Sequence, residues 1–292
     1  MNESKKTVVD LSGGLEDVPV WCEGPTFPKF TYCTDNVLGP GCSVDPSELT
    51  LPGCSCLGRS CCSEICSCLQ TSVRAYDSTR KLQNLADSGF CTPVFECNAL
   101  GRCSDACCNR VVQTGLRLRL EVFPTGTKGW GVQTLEDIPR GMFVCEYAGE
   151  VIGFEEAKRR QRAQTSEDNN YIIAVREHAG PGSITETFVD PALVGNVGRF
   201  LNHSCMPNLV MLPVRVHSVT PRLALFARRD ICAQEELTFD YSGGCGSKRP
   251  AELPSSQSSA PVSRADGLQK KPCHCGAKSC TRFLPLDLSI LS

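Results

Sequence analysis

Asn202, His203 and Cys205 bring an amide, an imidazole and a thiol together inside Gly198-Arg199-Phe200-Leu201-Asn202-His203-Ser204-Cys205-Met206-Pro207-Asn208. The stretch is a polar break between apolar runs, and Pro207 stops a helix or central strand from running through it. Taken alone it also fits a polar turn after a buried strand, and one short motif can arise by chance. The thiols form a larger set, 21 cysteines in 292 residues. Cys54, Cys56, Cys61, Cys66 and Cys68, then Cys97, Cys103 and Cys107, have the density of metal ligands. The C-x-C pairs Cys54/Cys56 and Cys66/Cys68 suit a shared cluster better than a lone site, where C-x2-C is usual. Near the C-terminus Cys273, Cys275 and Cys280 make an incomplete tetrahedral site, for which Cys205 is the natural fourth ligand. His274, between two of these cysteines, reads as a spacer.

The alternative for so many thiols is a disulfide-rich secreted module. The odd cysteine count and the absence of an apolar leader segment in MNESKKTVVDLSGG favour zinc in a reducing compartment. Cys22, Cys33 and Cys42 are far apart and read as small buried residues. The net charge of −2 predicts no broad affinity for nucleic acid or anionic membrane, so direct DNA binding is not expected. No apolar run is long enough to span a bilayer.

The elements that must position these groups are mostly strands. Residues 1–50 read as an extended arm with scattered aromatics. The gap between Cys68 and Cys97 is polar, so metal supplies the core there. From Leu116, LRLRLEVF alternates as a strand does, and Lys128-Gly129-Trp130-Gly131 makes a tight turn. VQTLEDIPRGMFVCEYAGEVI, NNYIIAV, ETFVD, LVMLPVRV, RLALFARR and ICAQEELTFDY continue the run of short strands. FEEAKRRQRAQTSED reads as one charged, solvated helix. The Ser/Pro-rich stretch in 242–271 reads as a flexible linker. The fold class is mostly β.

The order of a cysteine cluster, KGWG, EYAGE, RFLNHSC-x-PN, ELTFDY and C-x-C-x4-C resembles the SET-domain histone-lysine N-methyltransferases, in the subgroup with pre-SET and post-SET zinc modules. The resemblance implies a β-clip-like SET fold with a knot-like crossing, in which the NHSC segment passes under the loop leading to FDY. It implies an N-terminal arm (1–50), a pre-SET zinc cluster (51–115), a SET catalytic domain (116–241), a flexible linker (242–271) and a post-SET zinc lid (272–288). It further implies an S-adenosylmethionine pocket lined by Lys128, Gly129, Trp130, Tyr171, Arg199, Asn202 and His203, with Phe283 near the adenine. Tyr147 and Tyr241 are the expected catalytic hydroxyls, and Phe239 the expected switch on the number of methyl groups added. As ordinary chemistry, the two tyrosines also fit half-buried strand positions, and Phe239 a strand core. The implied substrate is a lysine of a core histone tail, methylated to at least the dimethyl state, and the implied location is nuclear, on chromatin. The other reading of the same residues is a weakly active zinc scaffold that binds histone or partner proteins.

One position departs from the pattern. The resemblance implies about three zincs in the pre-SET cluster and one in the post-SET site, with nine pre-SET ligands. Position 101, one of the nine, is Gly. Three tetrahedral zincs need twelve zinc–sulfur bonds, and glycine offers none. Either Cys62, Cys91 or Cys108 substitutes, or water fills the gap, or one zinc is lost.

Overall fold

The computed structural model describes residues 8–23, 29–56, 58, 60–61, 66–71, 74–83, 93–165, 168–180, 183–242, 271–285 and 290. Three small sheets carry the described chain. The first runs, in spatial order, Val8–Asp10, Val20–Glu23, Leu120–Pro124, Trp130–Thr134, Glu236–Phe239 and Asn202–His203. The second runs Ile173–Gly180, Ser183–Gly195, Gly149–Ile152 and Val37–Leu38, with Thr31–Tyr32 also paired to Ser183–Gly195. The third runs Val94–Phe95, Leu209–Arg215, Arg222–Ala227 and Phe143–Glu146. Four segments from the first fifty residues are thus woven into the first two sheets. Cys22 is buried among them, while Cys33 and Cys42 are only partly covered, which differs from the expectation of three buried thiols.

Sequence pattern and burial agree where a strand has a neighbour on each side. Arg222–Ala227 lies between two strands, and its apolar run alternates between two cores. Leu223, Leu225 and Ala227 face one cluster, Ala224 and Phe226 the other. A strand buried on both faces reads as a continuous apolar run. In LRLRLEVF the ladder starts only at Leu120, because the parallel partner Val20–Glu23 reaches no further. Leu116 and Leu118 precede the strand but are still buried.

The charged helix is Phe154–Ala163, shorter than its sequence pattern. Asp168 ends it, accepting hydrogen bonds from both the N–H and the hydroxyl of Thr165, a local alternative to the next helical turn. Its charges suit the helix dipole, with Glu155 and Glu156 in the first turn and Arg160 and Arg162 in the last. Arg160 is not part of a simple solvated face. Its side chain is 15% exposed and pairs with Glu156, Glu150 and Asp190, tying the helix to the second sheet.

The site is positioned by a crossing between distant segments. Asn202–His203 pairs parallel with Glu236–Phe239, Asn202 opposite Thr238 and His203 opposite Phe239. Asn208 extends that pairing with its side chain. Its Oδ1 accepts from the Thr238 N–H, and its Nδ2 donates to the Glu236 carbonyl and to Glu235 Oε1, each at 2.8 Å. Asn208 is 2% exposed, so none of these bonds is replaced by water if the side chain is lost. Asn208→Ala is therefore expected to cost about 1–3 kcal/mol, read as a lowered urea midpoint of the zinc-loaded protein.

Candidate active site and zinc clusters

The turn before Trp130–Thr134 needs both glycines of KGWG. Gly129 has φ +74°, a left-handed conformation. At Gly131 a Cβ would lie 2.6 Å from Thr125 Cγ2 and 3.0 Å from Glu236 Oε1. That close approach lets a polar network form. Lys128 Nζ lies 2.5 Å from Glu236 Oε2, and Asn202 Nδ2 donates to the Trp130 carbonyl and to Glu236 Oε1, both at 3.0 Å. The expected residues Lys128, Gly129, Trp130 and Asn202 are thus brought together. Glu236, which joins them, was not singled out from the sequence, although it lies inside ELTFDY.

Arg199 is placed differently from a residue that reaches into an open pocket. It is 7% exposed, and its guanidinium lies 4.5–4.9 Å from the ring centres of Phe30, Tyr171 and Phe200. Its Nε donates to the Pro191 carbonyl and Nη2 to the Ala192 carbonyl, while Nη1 is buried with no hydrogen-bond partner. Phe30, from the N-terminal arm, closes one side of this cage, and nothing in its local sequence announces that role.

Tyr147, Phe239 and Tyr241 form one aromatic group. Phe239 lies between the two tyrosine rings, at 5.9 Å from Tyr147 and 4.9 Å from Tyr241. The Tyr147 hydroxyl donates to the Tyr171 carbonyl at 2.6 Å, and the Tyr241 hydroxyl to the Leu201 carbonyl at 2.8 Å. Burial pushes both phenols up from their ordinary pKa, so both stay neutral at physiological pH. With each proton committed to a carbonyl, the oxygen lone pairs are left to accept.

His203 links this group to the C-terminal thiols. Its Nδ1 accepts from the Tyr241 N–H at 3.2 Å, which puts the ring proton on Nε2, 3.4 Å from Cys205 Sγ. Cys205, Cys273, Cys275 and Cys280 have sulfurs all within 4.8 Å of one another. Tetrahedral zinc with bonds of about 2.3 Å separates its sulfurs by about 3.8 Å, so this group fits the metal. The Thr281 and Arg282 N–H groups point at Cys205 and Cys280, as partners of metal thiolates do. His274 is exposed and lies outside the group. Phe283, 47% exposed, pairs with Pro272 across this segment.

The pre-SET thiols also converge. Cys54, Cys61, Cys97 and Cys103 form one four-sulfur group, Cys54, Cys66, Cys68 and Cys97 a second, and Cys54, Cys56, Cys61 and Cys66 a third. Cys107 packs with them and sits 3.2 Å from the Cys61 N–H. Hydrogen bonding between Cys107 and Cys97 holds the first thiol down and pushes the second up. The flanking motifs FECN and NRVVQ brace the cluster. Buried Glu96 accepts from the Tyr76 hydroxyl and the Val112 N–H, Asn98 donates to the Leu51 carbonyl, and Arg110 to the Asn98 carbonyl.

Gly101 lies against this cluster. A Cβ there would be 3.2 Å from Cys54 Sγ, but no ligand atom is supplied. The Cys108 thiol points at the Cys61 carbonyl, 3.8 Å away, and joins none of the four-sulfur groups. Cys62 and Cys91, like residues 243–270 of the stretch 242–271 read as a linker, lie outside the described residues.

Two family patterns match the chain, the Pre-SET motif over residues 13–110 and the SET domain over residues 129–242. The bovine histone-lysine N-methyltransferase SETMAR is 51% identical over 99% of this chain and 92% of its own length. The chain belongs to the SET-domain histone-lysine N-methyltransferases. The human SETMAR is 50% identical over 99% of the chain, which spans 41% of that protein's length. The crystal structure of the human SETMAR methyltransferase domain superposes with a TM-score of 0.81 at 47% identity, covering 95% of this chain and 98% of that one. KRYPTONITE, solved with mCHH DNA, an H3(1-15) peptide and SAH, is 30% identical with a TM-score of 0.71, over 98% of this chain and 55% of that one.

Two outcomes follow for this SET-domain protein. Metal analysis is expected to find four zincs per chain, with one pre-SET zinc lost first to a chelator because Gly101 leaves it short of a thiolate. Cys275→Ser is expected to lower the count by one while the circular dichroism of the β sheets stays unchanged.

Proposed function

We propose that this protein transfers methyl groups from S-adenosylmethionine to a lysine of a core histone tail, reaching at least the dimethyl state. The observation that carries the reading is the aromatic group of Tyr147, Phe239 and Tyr241, with both hydroxyl protons committed to carbonyls. The complex of KRYPTONITE with SAH and an H3(1-15) peptide supports the choice of cofactor and substrate.

S-Adenosylmethionine supplies an electrophilic methyl on a sulfonium, so most of the catalysis is positioning. Asn202, His203, Lys128, Gly129, Trp130 and Tyr171 would hold it, with Arg199 bracing the wall through Tyr171 and Phe283 covering the adenine. Trp130, Tyr171 and Asn202 are each partly exposed around buried His203, a donor set that suits a ligand with both charged and aromatic parts. The nucleophile must be a neutral amine, and free lysine has a pKa of about 10.4. The apolar walls of Phe239 and the two tyrosine rings favour its neutral form. The lone pairs on the Tyr147 and Tyr241 oxygens accept the amine N–H groups and turn the nitrogen lone pair toward the methyl. Cys205, Cys273, Cys275 and Cys280 would hold the zinc of a lid over this pocket. Cys54, Cys56, Cys61, Cys66, Cys68, Cys97, Cys103 and Cys107 would hold the pre-SET zincs, all structural.

The chain divides, on this reading, into an arm, a pre-SET cluster, a SET domain, a linker and a post-SET lid. Its setting is nuclear chromatin. A weakly active scaffold is the competing reading, and Gly101 is the feature that favours it.

Incubation of the zinc-loaded protein with labelled cofactor and core histones, followed by mass spectrometry of the products, tests the reading. Dimethyl-lysine on a histone tail is expected, and no labelled histone overturns it. Asn202→Ala is expected to bind S-adenosylmethionine about 5- to 150-fold more weakly, the loss of a hydrogen-bonding partner worth about 1–3 kcal/mol. Phe239 is 2% exposed between two tyrosines, so Phe239→Tyr adds a hydroxyl that crowds the channel. One hydrogen bond of about 1 kcal/mol moves a product ratio several-fold. Time-resolved product spectra are expected to shift toward monomethyl-lysine in that variant, with a modest change in the first transfer.

A further inference from the structure

Glu146 precedes Tyr147, and side chains alternate along a strand. Tyr147 joins the aromatic group, while Glu146 lines a separate cavity of about 220 Å³ with Glu16, Asp17, Asp35, Asn196 and Arg222. Four carboxylates face one guanidinium there. Arg222 pairs with Asp35 and, at 3.3 Å, with Glu146 Oε2. Asp17 is held at the surface by Arg117, and Glu16 accepts from the Tyr32 hydroxyl at 3.0 Å. Glu146 Oε1 remains buried with no hydrogen-bond partner, on a residue only 5% exposed. Leaving such an oxygen unpaired is costly. Burial, with the charges of Asp35 and Glu16 nearby, pushes the Glu146 carboxyl up to about 7 although Arg222 opposes the shift. Burial raises the Glu16 carboxyl too.

Four carboxylates against one guanidinium leave the cavity short of positive charge, and the shape of a cation that would fit is constrained. Among the described residues, no three of these carboxylates bring ligand atoms within the 4.8 Å that unites the cysteine sulfurs, so a compact metal ion does not fit. The volume equals about seven waters, room for a charged head with a short stem. Leu15, Val112, Leu116 and Phe143 line the same cavity and give the stem an apolar wall.

We propose that this cavity binds an alkylammonium or alkylguanidinium ion, its head among the carboxylates of Glu146, Asp35 and Glu16 and its stem on the apolar wall. The site is distinct from the methyl-transfer site but touches its frame. Asn196, which lines the cavity, accepts from the N–H groups of Ala148 and Gly198, next to Tyr147 and Arg199. The same head can arrive as a small free cation or as a basic side chain of a bound peptide.

Calorimetric titration of the zinc-loaded protein with agmatine, with putrescine, and with an otherwise uncharged peptide carrying one arginine tests this. Saturable binding is expected from at least one probe, weakened ~10-fold or more in Glu146→Gln with zinc content and thermal transition retained. Binding of agmatine or putrescine without the peptide assigns a free cation, and binding of the peptide assigns a basic side chain. If Glu146→Gln fails to fold, Asp35→Asn at the cavity mouth is expected to weaken binding in the same assay. No saturable heat from any probe, unchanged affinity in the variant, or displacement by magnesium as readily as by the amines overturns the proposal.

Discussion

The parallel pairing of Asn202–His203 with Glu236–Phe239 is the constraint on which the rest of the site depends. Parallel neighbours cannot be joined by a tight turn, so the intervening chain must leave and return. It does so through Leu209–Arg215 and Arg222–Ala227, the centre of the third sheet. The return places Glu236 beside Lys128, Trp130 and Asn202, and Tyr241 beside His203. Asn208 secures it, because one buried amide replaces three strand-like hydrogen bonds. A polar side chain buried with its partners satisfied specifies one register, since a slipped strand would orphan each of them.

His203 extends this constraint to the C-terminal thiol group. The Tyr241 N–H fixes its tautomer, and the remaining ring proton faces Cys205 Sγ. One imidazole therefore joins the crossing, the aromatic group of Tyr147, Phe239 and Tyr241, and the thiol group that carries the C-terminal segment. The pre-SET region shows the opposite economy. Around the thiols the buried core is sulfur braced by Glu96, Asn98, Asn109 and Arg110. Tyr76, Leu82, Val94, Val111 and Val112 of the same region pack into an apolar cluster on the third sheet, so metal is not the only core between Cys68 and Cys97, contrary to what the polar sequence suggested. Where buried thiols crowd together, order is coupled to metal binding, and Gly101, beside Cys54, offers no ligand atom.

Glu146 and Tyr147 show how one strand serves two environments. On one face the phenol is kept neutral by burial and aimed at a carbonyl; on the other a carboxylate is held among like charges with one oxygen unpaired. Burial acts on both by favouring the neutral form, which leaves the phenol unchanged at neutral pH and penalises the ionised acid. The two faces share a backbone, and Asn196 bonds across it to Ala148 and Gly198.

What the sequence determined was chemistry and class. Thiol spacing announced the metal clusters, alternation announced a mostly β chain, and the order of motifs announced the family. Those signals are local, or they survive as ordered strings. The tertiary structure decided the rest, because it depends on which distant segments meet. No local pattern marks Phe30 as a wall of the Arg199 cage, Glu236 as the joint between Lys128 and Asn202, or Asn208 as the lock on the crossing. The strand beginning at Leu120 rather than Leu116, and the helix ending at Ala163, were set by the reach of a partner strand and by a competing side-chain turn. Glu146 stood in plain view within EYAGE, yet its burial beside Glu16 and Asp35 follows only from the N-terminal arm folding over its strand.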